Sequence, residues 1–171
     1  MVQIKEAAAN DANLLCQLGA QTFEQAYGDV KDANDISAYI IQAFIATDIA
    51  HTISGKQATY FIAYFNNEAI GYTKLRTDRL HENLNPAQAN LELERIYVCK
   101  EFWKQQVGAA LMQHAIMFGK QNNFDVLWLG VWQQNHRAIA FYKKMGFEII
   151  GTKKFYVGTE ENDDYVMQVK L

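Results

Sequence analysis

Proline and cysteine are scarce in this sequence of 171 residues, which contains one proline and two cysteines. Cys16 and Cys99 lie far apart and show no paired spacing, which favours a reducing compartment over a disulfide framework. The four histidines are scattered without the spacing of metal ligands, so we expect no metal. Low-complexity segments are missing, and 50% of the residues are hydrophobic. This composition predicts one compact domain over residues 1–171.

Positive charge is not in excess, because 16 lysines and arginines stand against 19 aspartates and glutamates. A net charge of −3 without a basic cluster argues against a nucleic-acid surface. Long apolar runs are missing too, since runs such as VLWLGVW are too short to cross a bilayer. The first residues, MVQIKEAAANDA, have no apolar signal core. We therefore expect a cytoplasmic protein whose partners include neither membranes nor nucleic acids.

The hydrophobic periodicity predicts the element order β-α-α-β-β-β-α-β-α-β-β. Asp11 is a candidate cap for the first helix, and a second helix follows Asp35 because apolar residues recur at helical spacing over residues 36–44. The segments ATYFIAYF and AIGYTKLR flank Asn66-Asn67-Glu68 as a hairpin. Two later helices each join one strand to the next, which predicts a partly parallel sheet in the second half.

One connection is long and polar: TDRLHENLNPAQA, from Thr77 to Ala89, which also contains the proline. Connections of this length inside a compact domain are uncommon and are often functional. Two interpretations fit it, a loop that contacts the substrate and a mobile surface loop.

The segment NLELERIYV is typical of a strand in which the alternation of apolar residues shifts from one face to the other. Leu91 and Leu93 point to one face, whereas Ile96 and Val98 have the opposite parity. A β-bulge produces such a change, so we predict a bulge near Glu94–Arg95.

The same segment contains two candidate bases, Glu92 and Glu94, which project from one face of an unbroken strand. Either carboxylate could take a proton from an amine, directly or through a water molecule. Alternatively, both carboxylates are solvated or paired with Arg95 or Lys74. The sequence leaves these interpretations open.

The segment WQQNHRAIAFYKKMGF predicts a helix with well-defined ends. Asn135 is a favourable N-cap, Lys143 and Lys144 suit the negative end of the helix dipole, and Gly146 suits the left-handed residue after the helix. Tyr142 lies on the inward side of the last turn, where its hydroxyl group needs a partner. It is either a core residue or a proton donor to a leaving group.

Three segments together resemble the GNAT superfamily of N-acetyltransferases over nearly the whole chain: LERIYV, a loop that enters VGAALMQHA, and N-x-x-A-x-x-F-Y-x-x-x-G-F at residues 135–147. TFEQAYG and the helix at residues 35–44 add a weaker similarity to bacterial PaiA-type enzymes, which acetylate polyamines and other small amines. The resemblance implies an α/β fold with a mixed, largely antiparallel sheet of about seven strands and helices on both faces. In that fold the fourth and fifth strands splay apart to admit acetyl-CoA.

The resemblance also implies direct transfer of an acetyl group from acetyl-CoA to a primary amine, with a small amine or polyamine favoured. Glu92, Glu94 or a nearby water would take the proton of the amine. The main-chain N–H of Val98 would polarise the thioester carbonyl, and Tyr142 would protonate the leaving thiolate. The implied contacts with acetyl-CoA are made by Ile96, Tyr97, Val98, Lys104, Gln105, Gln106, Val107, Gly108, Ala109, Asn135, Arg137 and Lys144.

The loop before VGAALMQHA departs from the family pattern Q/R-x-x-G-x-G/A. If Gly108 matches the last position, Trp103 replaces the Arg or Gln and Gln106 replaces the first glycine. A second function is therefore considered, a non-catalytic regulatory or sensor domain that binds acetyl-CoA, and a plain interaction module is a third. The expected partner is a small-molecule amine, and a homodimer remains open.

Overall fold

The computed structural model describes residues 1–171. Its strands are β1 (Gln3–Glu6), β2 (Ala58–Phe65), β3 (Glu68–Arg76), β4 (Asn90–Val98), β5 (Val126–Trp132), β6 (Glu148–Val157) and β7 (Glu160–Lys170). Its helices are α1 (Ala12–Tyr27), α2 (Ala33–Ala43), α3 (Ala46–Ser54), α4 (Val107–Gln121) and α5 (His136–Lys144). No single helix has both the length and the apolar composition needed to cross a membrane. Helices α2 and α3 meet these two criteria only when they are counted together, and the chain bends by 41° between them.

All seven strands form one sheet in the order β1-β2-β3-β4-β5-β7-β6. Neighbouring strands are antiparallel except β4 and β5, which are parallel because α4 carries the chain back between them. Helices α1 to α3 pack on one face, against residues such as Tyr60 and Tyr72. Helices α4 and α5 pack on the other face, against residues such as Leu91 and Met167. The predicted mixed, largely antiparallel sheet with helices on both faces is confirmed.

The second predicted helix begins earlier than expected. Helix α2 starts at Ala33, two residues before Asp35. The carboxylate of Asp32 caps it by accepting hydrogen bonds from the N–H groups of Asn34 (2.8 Å) and Asp35 (3.4 Å). The carboxylate of Asp35 instead accepts the N–H of Thr159 at 2.7 Å, which connects α2 to the turn between β6 and β7.

Two further differences concern α1 and α3. Asp11 directly precedes α1, but its carboxylate accepts the N–H of Ala8 at 2.8 Å and caps no N–H of the helix, so the predicted capping role was wrong. Helix α3 was not predicted, because its sequence ATDIAHTIS is short and rich in β-branched residues with low helix propensity. Packing stabilises it instead: Ile49, in the middle of α3, is only 4% exposed.

The sheet is irregular at β4, where the candidate site forms. Lys74 pairs with Arg95 and Leu75 pairs with Leu93, so Glu94 is the extra residue of a bulge. The predicted bulge is therefore confirmed. Strand β4 pairs with β5 over only three residues, 90–92, and the two strands then diverge. The predicted splay between the fourth and fifth strands is confirmed as well.

Candidate active site

A cavity of about 570 Å³ opens where β4 and β5 diverge. Its walls comprise the residues of β4 from Glu92 to Val98, the end of β5, the loop that follows β4, the first turn of α4, and α5 along its length. The other part of the cavity is lined by α1, α2, the β6–β7 hairpin and Glu92, whose carboxylate is influenced by Lys153 of β6. The volume falls in the range of small-molecule sites. The first end, at α4 and α5, is called the donor end below, and the second is called the acceptor end.

Helix α4 begins at the donor end with an unusual backbone. Gln106 precedes the helix in the left-handed conformation, with φ 62° and ψ 6°. The first bond within the helix runs from the N–H of Ala110 to the carbonyl of Gln106. The N–H groups of Val107, Gly108 and Ala109 therefore have no partner inside the helix. Such free N–H groups and the helix dipole favour an anion at this position.

The loop before α4 contributes unequally to the cavity. Lys104 lines it and is also left-handed, with φ 64°. Gln105 was predicted to contact acetyl-CoA, but it lies outside the cavity wall. Its side-chain amide is exposed and donates a hydrogen bond to the carbonyl of Glu101 at 2.9 Å. The structure therefore does not bring Gln105 together with the other predicted residues.

The main chain of Val98 faces the gap between the strands. The N–H of the next residue, Cys99, donates to the carbonyl of Ile70 on the β3 side at 2.8 Å. Successive residues of a strand direct their main-chain groups to opposite edges, so the N–H and C=O of Val98 point toward β5. Ile96 and Tyr97 lie on the same stretch of cavity wall.

Trp103 was not among the predicted site residues, yet it closes part of the donor end. Its indole N–H donates to the carbonyl of Val98 at 2.7 Å. The guanidinium carbon of Arg137 lies 3.9 Å from the centre of the Trp103 ring, a distance typical of a cation–π contact. Trp103 and Arg137 thus connect the loop after β4 to the first turn of α5. The mismatch with the family pattern was the only sequence signal for this contact.

Helix α5 supplies the predicted proton donor. Its N-cap is Asn135, whose side-chain oxygen accepts the N–H of Ala138 at 3.1 Å, as predicted. Tyr142 lies on the cavity wall, is 8% exposed and makes no side-chain hydrogen bond within the chain. Burial, with a smaller contribution from Tyr27, raises the pKa of Tyr142. Its hydroxyl group therefore stays protonated at neutral pH and can donate a proton. Lys144 also lines the cavity.

For Glu94 the structure shows the ion pairs that were one of the two interpretations. Its carboxylate lies 2.9 Å from the ammonium of Lys74 and 3.6 Å from the guanidinium groups of Arg76 and Arg95. Burial alone would raise the pKa of Glu94, but the charges of Lys74 and Arg95 outweigh it, so the net pKa is lowered. This carboxylate is therefore a weak base.

Glu92 has the opposite environment. Its residue is 2% exposed, its nearest cation is Arg79 at 3.9 Å, and its Oε2 atom has no hydrogen-bond partner. Burial, and secondarily the charge of Glu94, raises the pKa of Glu92. Neighbouring carboxylates whose pKa values diverge are typical of acid–base sites.

The long connection at residues 77–89 is partly packed and partly a component of the site. Leu84 is 4% exposed and packs against Trp128 and Val166. Arg79 reaches the cavity wall beside Glu92. Both earlier interpretations of this segment are therefore too simple, because one residue anchors it and another contacts the cavity.

The acceptor end contains Asp164, which was not among the predicted site residues. It belongs to the acidic run at residues 160–164, which hints at a cationic substrate but is more typical of a solvated hairpin end. Two members of the run, Glu161 and Asp163, do pair with the exposed Lys154. Asp164 instead lines the cavity and is 6% exposed. Alternation along β7 was the signal that could have separated it from its neighbours.

Comparison with known proteins agrees with this geometry. The sequence model of the acetyltransferase (GNAT) family matches residues 22–147. An uncharacterised N-acetyltransferase of Lactobacillus delbrueckii subsp. lactis is 26% identical over 171 residues, which cover 99% of this chain and 98% of the relative. One of Mycobacterium bovis is 27% identical over 161 residues, covering 94% of this chain and 98% of the relative.

Solved structures show the same fold. The PaiA N-acetyltransferase from Thermoplasma acidophilum in complex with coenzyme A has a TM-score of 0.79 at 19% identity, with 100% of this chain and 99% of that chain covered. An N-acetyltransferase from Staphylococcus aureus has a TM-score of 0.73 at 17% identity, with 99% of this chain and 98% of that chain covered. Since the family match spans well over half of the sequence, the chain belongs to the GNAT family of acetyltransferases, which confirms the predictions of an N-acetyltransferase and of acetyl-CoA as its cosubstrate.

Proposed function

We propose that this enzyme acetylates a primary amine, with a small amine or polyamine as the favoured acceptor, by direct attack while both substrates are bound. The observation that carries the proposal is the buried carboxylate of Glu92, which has an oxygen without a partner in a cavity that also contains Tyr142. A base and an acid on one cavity are what amide formation from an ammonium group requires. The resemblance of TFEQAYG and residues 35–44 to PaiA-type enzymes supports a small acceptor.

The donor end fits acetyl-CoA without unusual glycines. Main-chain N–H groups at the start of α4 would bind the phosphates, and Gln106 already adopts the left-handed conformation that favours glycine. Lys104, Arg137 and Lys144 would add positive charge there. The unpaired edge of β4 at Ile96, Tyr97 and Val98, with Asn135 across the gap, would contact the rest of the molecule. When bound, acetyl-CoA supplies an activated acyl group and a thiolate leaving group.

Proton removal is the main chemical problem for the acceptor. An alkylammonium of pKa about 10.4 must lose a proton before it attacks, which costs about 4–5 kcal/mol at pH 7. Glu92 takes this proton, because its raised pKa makes it the stronger base of the two predicted glutamates. Glu94 instead neutralises Lys74 and Arg95 and keeps the bulge in place.

The other charges are handled by Val98 and Tyr142. The N–H of Val98 points into the gap and stabilises the negative charge that develops on the acyl oxygen, a contribution of about 3–4 kcal/mol for one donor. Tyr142, which its raised pKa keeps protonated beforehand, gives its proton to the departing sulfur and recovers one from the nitrogen of the tetrahedral intermediate, so the amide forms neutral. Tyr142 thus acts in the protonation state that burial favours, whereas Glu92 acts as the carboxylate, for which burial makes proton uptake more favourable.

A turnover screen tests the proposal. Purified protein is incubated with acetyl-CoA and a panel of polyamines, monoamines, amino acids and peptides, and thiol release is measured. We expect release with small amines and no release without an acceptor. Acetyl-CoA binding by calorimetry without thiol release on any acceptor would support the sensor hypothesis instead. The homodimer stays a hypothesis that light scattering of the same sample tests.

A further inference from the structure

The acceptor end contains a buried carboxylate with no partner, Asp164. On β7 it pairs in register with Trp132 of β5 and with Lys153 of β6. The residue is 6% exposed, lines the cavity, and its Oδ1 atom forms no hydrogen bond. Buried carboxylates without a donor are rare because the loss of hydration is not compensated. An unsatisfied oxygen on a cavity wall therefore indicates a ligand that carries N–H donors.

The neighbouring residues on β7 show that this placement is specific. Asp163 points to the other face of the sheet and pairs with Lys154 at 2.8 Å. The side chain of Asp163 is 60% exposed, so its charge is solvated. Two adjacent aspartates thus have different environments, one in water and one in the cavity. This pair provides a matched control for the charge of Asp164.

Neither nearby lysine satisfies Asp164. The ammonium of Lys31 is held by Glu160 (2.9 Å) and Asn162 (2.6 Å) and lies 4.0 Å from the centre of the Trp132 ring. Lys153 forms no ion pair within 4.0 Å, and its side chain lies over Gly130.

Gly130 keeps this part of the wall open. A Cβ atom there would approach the Lys153 side chain and would lie 3.3 Å from Oδ2 of Asp164. The lack of a side chain at this position makes room for the end of the Lys153 side chain, which lies beside Asp164 without forming an ion pair with it.

We propose that Asp164 binds the ammonium group of the acceptor and thereby selects protonated amines at the binding step. This inference rests on the proposed function and deepens it, because it assigns a specificity-determining residue to the acceptor end. Asp164 acts in binding, whereas Glu92 acts in proton removal. Trp132 pairs with Asp164 in the sheet, and Tyr27, Tyr39 and Phe155 line the same cavity, so the ammonium group should be carried on an apolar body.

The charges around Asp164 define when it can bind a cation. Burial raises the pKa of Asp164 to about 6, while Lys153 and Lys31 act to lower it and Asp163 acts to raise it. Tyr27 also faces the carboxylate. The group is thus ionised at neutral pH and becomes neutral below pH 6. Selection for an ammonium ion should weaken over the same range.

A matched pair of ligands tests binding without turnover. Phenethylamine, which is an ammonium ion at pH 7.5, and 2-phenylethanol share a carbon skeleton, and their affinities for the CoA-saturated protein are measured by NMR titration. We expect the wild-type protein to prefer the ammonium ion by about 10- to 100-fold, the range for a hydrogen bond to a charged group. Asp164→Asn should abolish the preference, Asp163→Asn should retain it, and the wild-type preference should fall at pH 5.

Several results would overturn the inference. A wild-type protein that does not distinguish the two ligands, or that binds neither, has no ammonium site at this end. A preference that survives Asp164→Asn but disappears in Glu92→Gln would assign the ammonium contact to Glu92. Thermal unfolding of both variants at pH 7.5 checks that they are folded.

Kinetics separate binding from chemistry. With the best amine from the turnover screen, Asp164→Asn should raise KM by about tenfold or more and leave kcat within a few fold. A change in kcat at constant KM would contradict a role in binding. If no amine is acetylated, the proposed function fails, and the ligand-pair titration still decides whether Asp164 forms a cation site.

Discussion

The two ends of the cavity present different groups to a ligand. The donor end presents main-chain groups of Val98 and of residues 107–109, together with exposed basic side chains. The acceptor end presents individual buried carboxylates, Glu92 and Asp164, which come from strands far apart in the sequence. Main-chain recognition depends on backbone conformation and tolerates a change of side chain. Recognition by a single carboxylate does not, so substitutions of the buried carboxylates should have large effects, whereas substitutions in the loop before α4 should change the acetyl-CoA affinity only slightly.

The largest effect is expected for Glu92→Gln. Loss of the base should lower kcat by about 10²- to 10⁴-fold at pH 7 and leave the acetyl-CoA affinity unchanged. Activity should partly recover at high pH, where the amine loses its proton to solvent. The pH–rate profile of wild-type and variant enzymes measures this. A loss that is the same at every pH would show that Glu92 supports the fold and does not handle the proton.

Glu94→Gln is the contrasting variant on the same strand. It leaves the buried charges of Lys74 and Arg95 without their carboxylate, so we expect destabilisation of about 3–5 kcal/mol, typical of a broken buried ion pair. Denaturant unfolding measures this change. The folded fraction should keep a pH–rate profile like that of the wild type. If the pH–rate profile of Glu94→Gln instead resembled the one expected for Glu92→Gln, Glu94 would be the residue that removes the proton.

Tyr142→Phe should have the next largest effect. It removes only the hydroxyl group, so kcat should fall by about 10²-fold while acetyl-CoA binds within a few fold of wild type. Steady-state kinetics and calorimetry test both parts. Phe141→Leu, next to it on the same cavity wall, is the control for packing. Unchanged turnover in Tyr142→Phe would mean that water protonates the sulfur.

The local elements around the donor end could be predicted from sequence because each is a contiguous segment. The bulge at Glu94 follows from the parity of Leu91, Leu93 and Ile96, and the cap of α5 follows from Asn135. Short-range patterns carry this information, since period and capping are local properties.

The acceptor end could not be predicted in the same way. Asp164 is brought to Glu92 by the order β4-β5-β7, which places residues about 70 positions apart on one face of the sheet. Lys31 reaches Trp132 across an even longer separation. Trp103 was missed for another reason, because it departs from the family pattern and its hydrogen bond to Val98 has no local sequence signature. Nonlocal contacts of this kind leave little trace in a single sequence.

The pH dependence of the free energy of unfolding should reveal the burial of Asp164 in the absence of any ligand. Its pKa is about 6 in the folded protein and 3.8 as the reference value, so the folded state binds the proton more tightly. The resulting stabilisation is present below pH 3.8 and is lost as the pH rises through 6. Between pH 3.8 and pH 6 the free energy of unfolding of the wild type should fall by about 2–3 kcal/mol relative to that of Asp164→Asn. Unfolding free energies of both proteins between pH 4 and 7 measure it, and parallel curves would contradict the burial of the charge.

The smallest effect is expected at the donor end, for Gln106→Gly. Gln106 is left-handed in the structure, and a residue with a Cβ atom pays about 1–2 kcal/mol for that conformation. Glycine removes this cost, so the protein should be slightly more stable and the acetyl-CoA affinity should be equal or up to about fivefold higher.

Lys104→Gly is the matched variant, because Lys104 has nearly the same φ, 64° against 62°, but also carries a charge. It should relieve the same backbone cost and yet weaken acetyl-CoA binding, more at low salt than at high salt. Calorimetry at two ionic strengths compares the two glycine variants. Both outcomes follow if main-chain groups hold the phosphates and Lys104 only adds charge. A large loss of affinity in Gln106→Gly would mean that the glutamine side chain itself binds the cosubstrate, and the contrast between the two ends would then fail.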